Sequence, residues 1–387
     1  MNYQERWLLP AGINEILPDE AAHLETLRRR LIKLYASWGY QLVIPPMIEY
    51  LESLLVDRGD ALDLQTFKLT DQLTGRLMGV RADMTPQVAR IDAHHLKRNV
   101  PTRLCYLGTV LHTRPNNLVG SRSPLQVGAE LYGYEGIAGD AEILSLMLET
   151  LRETGLSDFH VDVGHVGIYQ SLIQQTPLSS TAKNQLDDAI KRKASAEIHD
   201  LLKEVSPPLR NMLSELVQLN GDRSVLKEAR QLFATAPPEI HTYLDELEQL
   251  SAQLSQVPLY FDLAEARGYN YHTGVVFAAY VDKHGQAIAK GGRYDISNKL
   301  FGHFRPATGF SANLRTIISL LEPEMPEPTA IFAPALNDTT LVATIKQLRQ
   351  QGEIVIGELP NQPGNAKEMG CDRELRLTAQ GWQVVSL

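Results

Sequence analysis

Cysteine is scarce in this chain of 387 residues: there are two, Cys105 and Cys371, far apart and with no C-x-x-C pair. That excludes a disulfide framework and a thiolate zinc site, and it fits a reducing compartment. No run of 18 or more apolar residues occurs, so no membrane span is expected. The opening residues, MNYQERWLLP, lack an apolar segment long enough for a secretion signal, and the expected location is cytoplasmic. Positive charge is not in excess either. Against 46 acidic residues stand 37 basic ones, a net charge of −9, which is not the field of a protein that wraps a phosphate backbone. Glycine nearly vanishes from residues 169–256, where Leu, Gln, Lys and Glu dominate and helical spacing prevails. What remains is the composition of an ordinary globular protein, 43% hydrophobic and 21% charged, long enough for two or three domains.

Pro18-Asp19-Glu20 reads as a helix start, with Leu24, Leu27, Leu31 and Leu34 at helical spacing and Gly39 as the stop. A strand at 40–44 follows and ends at Pro45-Pro46, neither of which can donate to a ladder. Strand-like residues 67–69 and 76–78 flank a turn at 71–75. Then come Arg81-Ala-Asp-Met-Thr85 and a helix over 87–95. Asp83 and Thr85 stand where strand gives way to helix. Their types fit a helix cap as well as a carboxylate that meets an ammonium group. Strands at 103–112 and 125–134 are joined by a polar loop, and on the second Gln126, Gly128 and Glu130 alternate onto one face. Bare backbone between two polar heads could floor a site for a compact ligand. A helix over 142–151 ends at Gly155. His94 and His95 read as surface or packing residues, and His160-Val-Asp-Val-Gly-His165 lacks a third and fourth ligand nearby, so no metal is expected.

The densest polar chemistry lies in 261–280, FDLAEARGYNYHTGVVFAAY, which reads as a hairpin: two strands and a connection holding Arg267, Asn270, Tyr271, His272 and Thr273. A plain hairpin needs only a turn pair such as Asn-Gly. A guanidinium, two phenols and an imidazole within six residues suit a pocket for a small polar ligand, with a solvated hairpin as the alternative. A strand at 287–290 precedes Gly291-Gly-Arg-Tyr-Asp295, whose glycine pair lets backbone come close to a ligand. A strand and helix over 308–321, an acidic proline-rich linker and a small α/β unit complete the chain.

Taken in order, these pieces resemble histidyl-tRNA synthetase and its paralogues over about residues 5–321. The helix, strand and Pro-Pro of 18–46 resemble motif 1 of the class II aminoacyl-tRNA synthetases. Arg81-Ala-Asp-Met-Thr85 is similar to Arg-Pro-Glu-Gly-Thr, Gln126-Val-Gly-Ala-Glu130 to Gln-Leu-Gly-x-Glu, and Arg267-Gly-Tyr-Asn-Tyr-His272 to Arg-Gly-Leu-Asp-Tyr-Tyr; Gly291-Gly-Arg-Tyr-Asp295 matches the second histidine signature. The resemblance implies an α+β fold with a class II synthetase-like antiparallel sheet flanked by helices at 1–168 and 257–321. A helical insertion would fill 169–256, a linker 322–328 and a small C-terminal α/β domain 329–387. It also implies a homodimer through motif 1 and a histidine site lined by Asp83, Thr85, Gln126, Glu130, Arg267, Tyr271 and His272. Asp83 would meet the α-ammonium and Glu130 an imidazole N–H.

The departures bear on function. Where motif 2 carries Phe-Arg-x-Glu the chain reads Leu111-His-Thr-Arg114, so His112 replaces the α-phosphate clamp. An imidazole is mostly neutral at pH 7 and lacks the guanidinium fork. Where motif 3 carries Gly-Leu-Glu-Arg the chain reads Asn313-Leu-Arg-Thr316, and Arg315 comes one residue early, about 100° round a helix. Phosphate clamps contribute on the order of 10³-fold in rate, so their loss implies no histidine activation and no catalytic residue. Met84 also replaces a glycine, and His272 a tyrosine. The last sixty residues are too few for the family's anticodon-binding domain, so no tRNA partner is implied. Among the paralogues, a histidine pocket without these parts resembles the regulatory subunits of ATP phosphoribosyltransferase. That resemblance implies a short-form catalytic subunit as partner, a homodimer within a larger hetero-oligomer, activation of the partner, and histidine as feedback effector, with no cofactor. A divergent histidyl-tRNA synthetase is the alternative.

Overall fold

The computed structural model describes residues 7–55, 60–115, 121–264, 271–282, 284–296, 305–321 and 329–387. The chain divides into two compact units, Met1–Glu322 and Pro323–Leu387; the expected linker at 322–328 lies outside the described residues.

In the first unit the strands are β1 (Gln41–Leu42), β2 (Ile48–Tyr50), β3 (Phe67–Thr70), β4 (Leu77–Val80), β5 (Thr102–Thr109), β6 (Leu125–Tyr132), β7 (His160–His165), β8 (Asn220–Gly221), β9 (Leu259–Asp262), β10 (Val275–Val281), β11 (His284–Ile296) and β12 (Arg305–Asn313). Among the described residues nine of them form one sheet, in the order β1-β5-β6-β12-β11-β10-β7-β9-β8, and β2-β4-β3 form a small second one. The large sheet is antiparallel except at β1 with β5 and β7 with β9.

One face of that sheet is covered by helices. In Pro18–Ser37 the buried residues Leu24, Leu27, Leu31 and Tyr35 recur every three or four positions, one stripe of a helix. Gly39, at φ +82°, ends it in a conformation other residues avoid. The helix Ile137–Glu153 buries Leu144, Met147, Leu148 and Leu151, and Thr150 donates to the Tyr35 hydroxyl at 3.1 Å. Val127, Ala129 and Leu131 of β6 join this core, together with Cys105, Leu107, Phe310 and Ala312. Strand periodicity then turns Gln126, Gly128 and Glu130 to the opposite face. There a separate apolar cluster holds Met84, Val88, Leu104, Tyr106, Tyr132 and Tyr294.

Between β7 and β9 the chain is helical, from Val166–Gln174 through Pro238–Gln253, interrupted by the two residues of β8. Pro207 and Pro238 each open a helix at its first turn, where a missing N–H costs nothing.

Several expectations need correction. Residues 261–280 are not a hairpin: β7 lies between β9 and β10, parallel to the first and antiparallel to the second. Each strand therefore takes one of its ladders from residues about a hundred positions earlier, a non-local pairing that local pattern does not carry, and β10 makes its local pair with β11. The helix expected over 87–95 is α-helical only to Arg90 and then makes a π turn over Ile91–Leu96, closed by Lys97 at φ +50°. There the buried Asp92 holds Arg305 at 2.6 Å. Gly291 and Gly292 lie inside β11, not beyond its end. A side chain at Gly291 would overlap the Gly309 carbonyl and the Phe277 ring, so glycine serves strand packing there.

The second unit is a four-stranded sheet in the order β14-β13-β15-β16, from β13 (Ala330–Ala333), β14 (Ile354–Gly357), β15 (Arg373–Thr378) and β16 (Gly381–Ser386). The helix Thr339–Gln350 is capped by Asp338, whose Oδ1 accepts from the Thr340 amide at 2.7 Å, and Leu341 joins a core with Ile331, Val355 and Leu375. Among the described residues no helix is long and apolar enough to cross a membrane.

Candidate functional site

Glu130 lies at the centre of the sheet face opposite the covering helices and is 1% exposed. Each of its oxygens has a phenol: the Tyr106 hydroxyl donates to Oε1 at 3.0 Å and the Tyr294 hydroxyl to Oε2 at 2.7 Å. Two glycines make room. A side chain at Gly309 would overlap the carboxylate itself, and a Cβ at Gly128 would stand 2.5 Å from the Tyr106 ring and hydroxyl. The bare backbone at Gly128 is thus filled by Tyr106 and is not open floor. Burial pushes the Glu130 carboxyl up from its ordinary 4.5 to about 7, against the downward pull of hydrogen bonds from Tyr294, Thr85 and Tyr106. The same burial, with the Glu130 charge beside them, raises the phenols of Tyr106 and Tyr294 far above their usual range.

From Glu130 the contacts run in two directions. Through Tyr106 they reach the Thr85 hydroxyl, 3.0 Å from the phenol oxygen. Asp83 lies beyond: its Oδ1 accepts from the Thr85 amide at 3.0 Å and from Gln126 Nε2 at 2.9 Å. Gln126 Oε1 accepts the Met84 amide at 2.9 Å, which fixes the amide's orientation. Asp83 accordingly has a structural part as the acceptor that turns the chain into the helix Thr85–Arg90, while its carboxylate stays only half-buried. Met84 packs away into the apolar cluster with Val88 and Leu104. Through Tyr294 the contacts reach Tyr271, stacked at 4.8 Å and 25°, and then His272, edge-on to Tyr271 at 4.9 Å. Gly292 makes room for His272, since a Cβ there would stand 2.9 Å from its Cδ2.

The structure therefore brings together Asp83, Thr85, Gln126, Glu130, Tyr271 and His272; Arg267 lies outside the described residues. Sequence reading missed Tyr106, Tyr132, Tyr294 and Gly309. Tyr294 stood within the Gly291–Asp295 signature without a role of its own; for Tyr106 and Gly309 the signal was strand alternation once the register is known, since Tyr106 opposes Gly128 and Gly309 opposes Glu130.

Past Gln126 the character changes. His112 is 7% exposed and donates from Nε2 to the Ala82 carbonyl at 2.9 Å. Burial lowers its pKa, so the ring is neutral. Three arginines on this side are engaged by main chain. Arg122 donates to the His112 carbonyl at 3.0 Å and the Ala11 carbonyl at 3.1 Å, and Arg315 to that of Asn14 at 3.4 Å. Arg81, buried, donates to the carbonyls of Thr109 at 2.9 Å and Pro45 at 2.7 Å. A Cβ at Gly108 would stand 2.6 Å from its Nη2. One end of the face can thus hold ammonium and N–H groups by acceptors; the other offers no phosphate fork through His112.

The family model for histidyl-tRNA synthetase matches residues 12–317, and the model described as the ATP phosphoribosyltransferase subunit HisZ C-terminal domain matches residues 328–385. The regulatory subunit of Thioalkalivibrio sulfidiphilus ATP phosphoribosyltransferase is 54% identical over 395 residues, covering the whole of both chains. This chain belongs to the ATP phosphoribosyltransferase regulatory subunits. Another regulatory subunit, from Alkalilimnicola ehrlichii, is 51% identical over 97% of this chain and 96% of its own. Among solved structures, an ATP phosphoribosyltransferase regulatory subunit/histidyl-tRNA synthetase from Bacillus halodurans superposes with a TM-score of 0.83 at 28% identity, covering 94% of this chain and 95% of that one. Histidyl-tRNA synthetase from Nostoc sp. PCC 7120 gives 0.78 at 22% identity, covering 98% and 97%, a likeness of fold. The fold is that of the class II synthetases, and the regulatory subunit is a non-catalytic chain of histidine biosynthesis.

Proposed function

We propose that this regulatory subunit binds histidine in the Glu130 site, activates a short-form ATP phosphoribosyltransferase catalytic subunit, and makes that partner sensitive to histidine. Asp83 and Thr85 take the α-ammonium, Glu130 and Gln126 the imidazole and amino-acid atoms, with Tyr271, His272 and Arg267 closing the site. The single observation that carries the reading is the contrast along one sheet face: a buried, phenol-lined carboxylate at the amino-acid end, and a neutral His112 at the phosphate end. We assign site and homodimer contacts to 1–168 and 257–321, with 169–256 as an insertion and 329–387 as a separate small domain. The assembly is a cytoplasmic hetero-oligomer without tRNA.

Reconstitution with a short-form catalytic subunit tests this by measuring rate against histidine concentration. In Glu130→Ala, activation stays and the inhibition constant rises at least about tenfold, as expected for a lost bond to a charged acceptor. Unchanged inhibition would place the effector elsewhere, and histidine-dependent ATP–pyrophosphate exchange by the purified chain would make it a synthetase.

A further inference from the structure

His165, at the end of β7, has no place in the site described above, yet its side chain is 1% exposed and every edge of its ring is engaged. The Gly167 amide donates to Nδ1 at 3.1 Å, so the ring proton sits on Nε2 and is donated to Glu246 at 3.0 Å. Tyr243, three residues before Glu246 on the helix Pro238–Gln253, stacks on the ring at 4.3 Å and 19°. Gly167 is bare where a Cβ would stand 2.7 Å from the Tyr243 ring and 2.9 Å from His165 Cε1.

This ring holds the strand end from which the 271–274 segment hangs. His165 opposes Val275, the first residue of β10, and the next amide, Val166, donates to the Gly274 carbonyl at 3.1 Å. A second anchor of the segment is the Thr273 amide, which donates to the Arg293 carbonyl at 2.9 Å. Arg293 is itself fixed, with Nε and Nη2 on Asp140 at 3.0 and 2.7 Å and further bonds to the carbonyls of Tyr134 and Gly136. The Arg293 anchor leads to the sheet and its covering helix, which itself packs on Pro238–Gln253. The His165 anchor leads instead into the helical segment between β7 and β9.

We propose that His165 and Glu246 are positioning residues for Tyr271 and His272: they fix the end of β7, and with it residues 271–274, against the helix Pro238–Gln253. The inference rests on the reading of Tyr271 and His272 as part of the histidine site. Its consequence is reciprocal, because whatever displaces that helix changes histidine affinity, and histidine occupancy biases the helix by the same factor. The helical segment is in this way coupled to the effector site through the His165 imidazole.

Histidine titration calorimetry on the full-length chain tests it with three variants. Glu246→Ala removes the acceptor and weakens histidine binding about threefold to tenfold, the range in which coupling residues outside a site act. Glu246→Gln, whose amide oxygen still accepts from Nε2, binds within about twofold of the parent. Glu248→Ala on the same helix removes an acid of comparable exposure, bonded to Arg230 at 2.8 and 2.9 Å, and leaves affinity unchanged. Glu246→Ala leaves the buried Nε2–H without its acceptor and lowers the melting temperature more than Glu248→Ala does, so affinities are compared well below both melting temperatures, where a general loss of stability moves neither. Equal affinity in Glu246→Ala and Glu248→Ala overturns the proposal. If the parent chain itself binds no histidine, the effector reading falls and takes this one with it.

Discussion

At the Glu130 end of the sheet face an acid is buried and given two phenols; at the His112 end three arginines, Arg81, Arg122 and Arg315, are given main-chain carbonyls. The acid is held by donors that keep both of its oxygens occupied while burial leaves it near the point of titration. Arg81, Arg122 and Arg315 are tied to backbone, and His112 is neutral. The difference teaches where recognition persists in such a fold. A carboxylate among hydroxyls remains an acceptor for a small cation, whereas a guanidinium committed to chain carbonyls has become part of the scaffold.

The comparison breaks most visibly at Glu130 itself. With its folded pKa raised from 4.5 to about 7, the protonated acid favours the folded chain; this share of stability is complete below about pH 4.5 and lost as pH rises through 7. Denaturant unfolding at fixed protein concentration should therefore show a fall on the order of 3 kcal/mol between pH 4.5 and 8. Glu130→Gln should remove that part of the slope. A variant with the parent's pH dependence would show that the acid is ionised throughout.

Gly309→Ala comes next. Its methyl group would overlap the carboxylate, so either the strand or Glu130 must move. Overpacking of this kind costs about 1–3 kcal/mol, read as a lower denaturation midpoint, together with weaker histidine binding. At the other end, Arg315→Ala sharpens the contrast by doing little. A long bond from a half-buried arginine to the Asn14 carbonyl should change stability by about 0.5 kcal/mol or less and leave histidine affinity alone. A large effect there would mean that the charge still serves a ligand.

Much of this was legible where short-range periodicity decides structure. Leu24, Leu27 and Leu31 announce a helix, and alternation through Gln126 and Glu130 places both on one face before any register is known. Pairing between distant strands was not legible. β9 and β10 look adjacent along the chain, but β7 stands between them, and nothing in 261–280 shows it. The same limit hid Tyr106 and Gly309, which meet Glu130 only through the ladders of β5 and β12. β15 was not legible for another reason: Arg373-Glu-Leu-Arg-Leu-Thr378 carries charges on both faces, where Arg373 pairs with Glu353 and Arg376 with Glu374, and so lacks a clean apolar alternation.

Arg81 grips Pro45 and Thr109 by their carbonyl oxygens alone. Every amino acid carries such an oxygen, so over generations positions 45 and 109 can change their letters while the grip survives. What inheritance must preserve is the path of the chain past the guanidinium, and at position 108 the absence of a side chain.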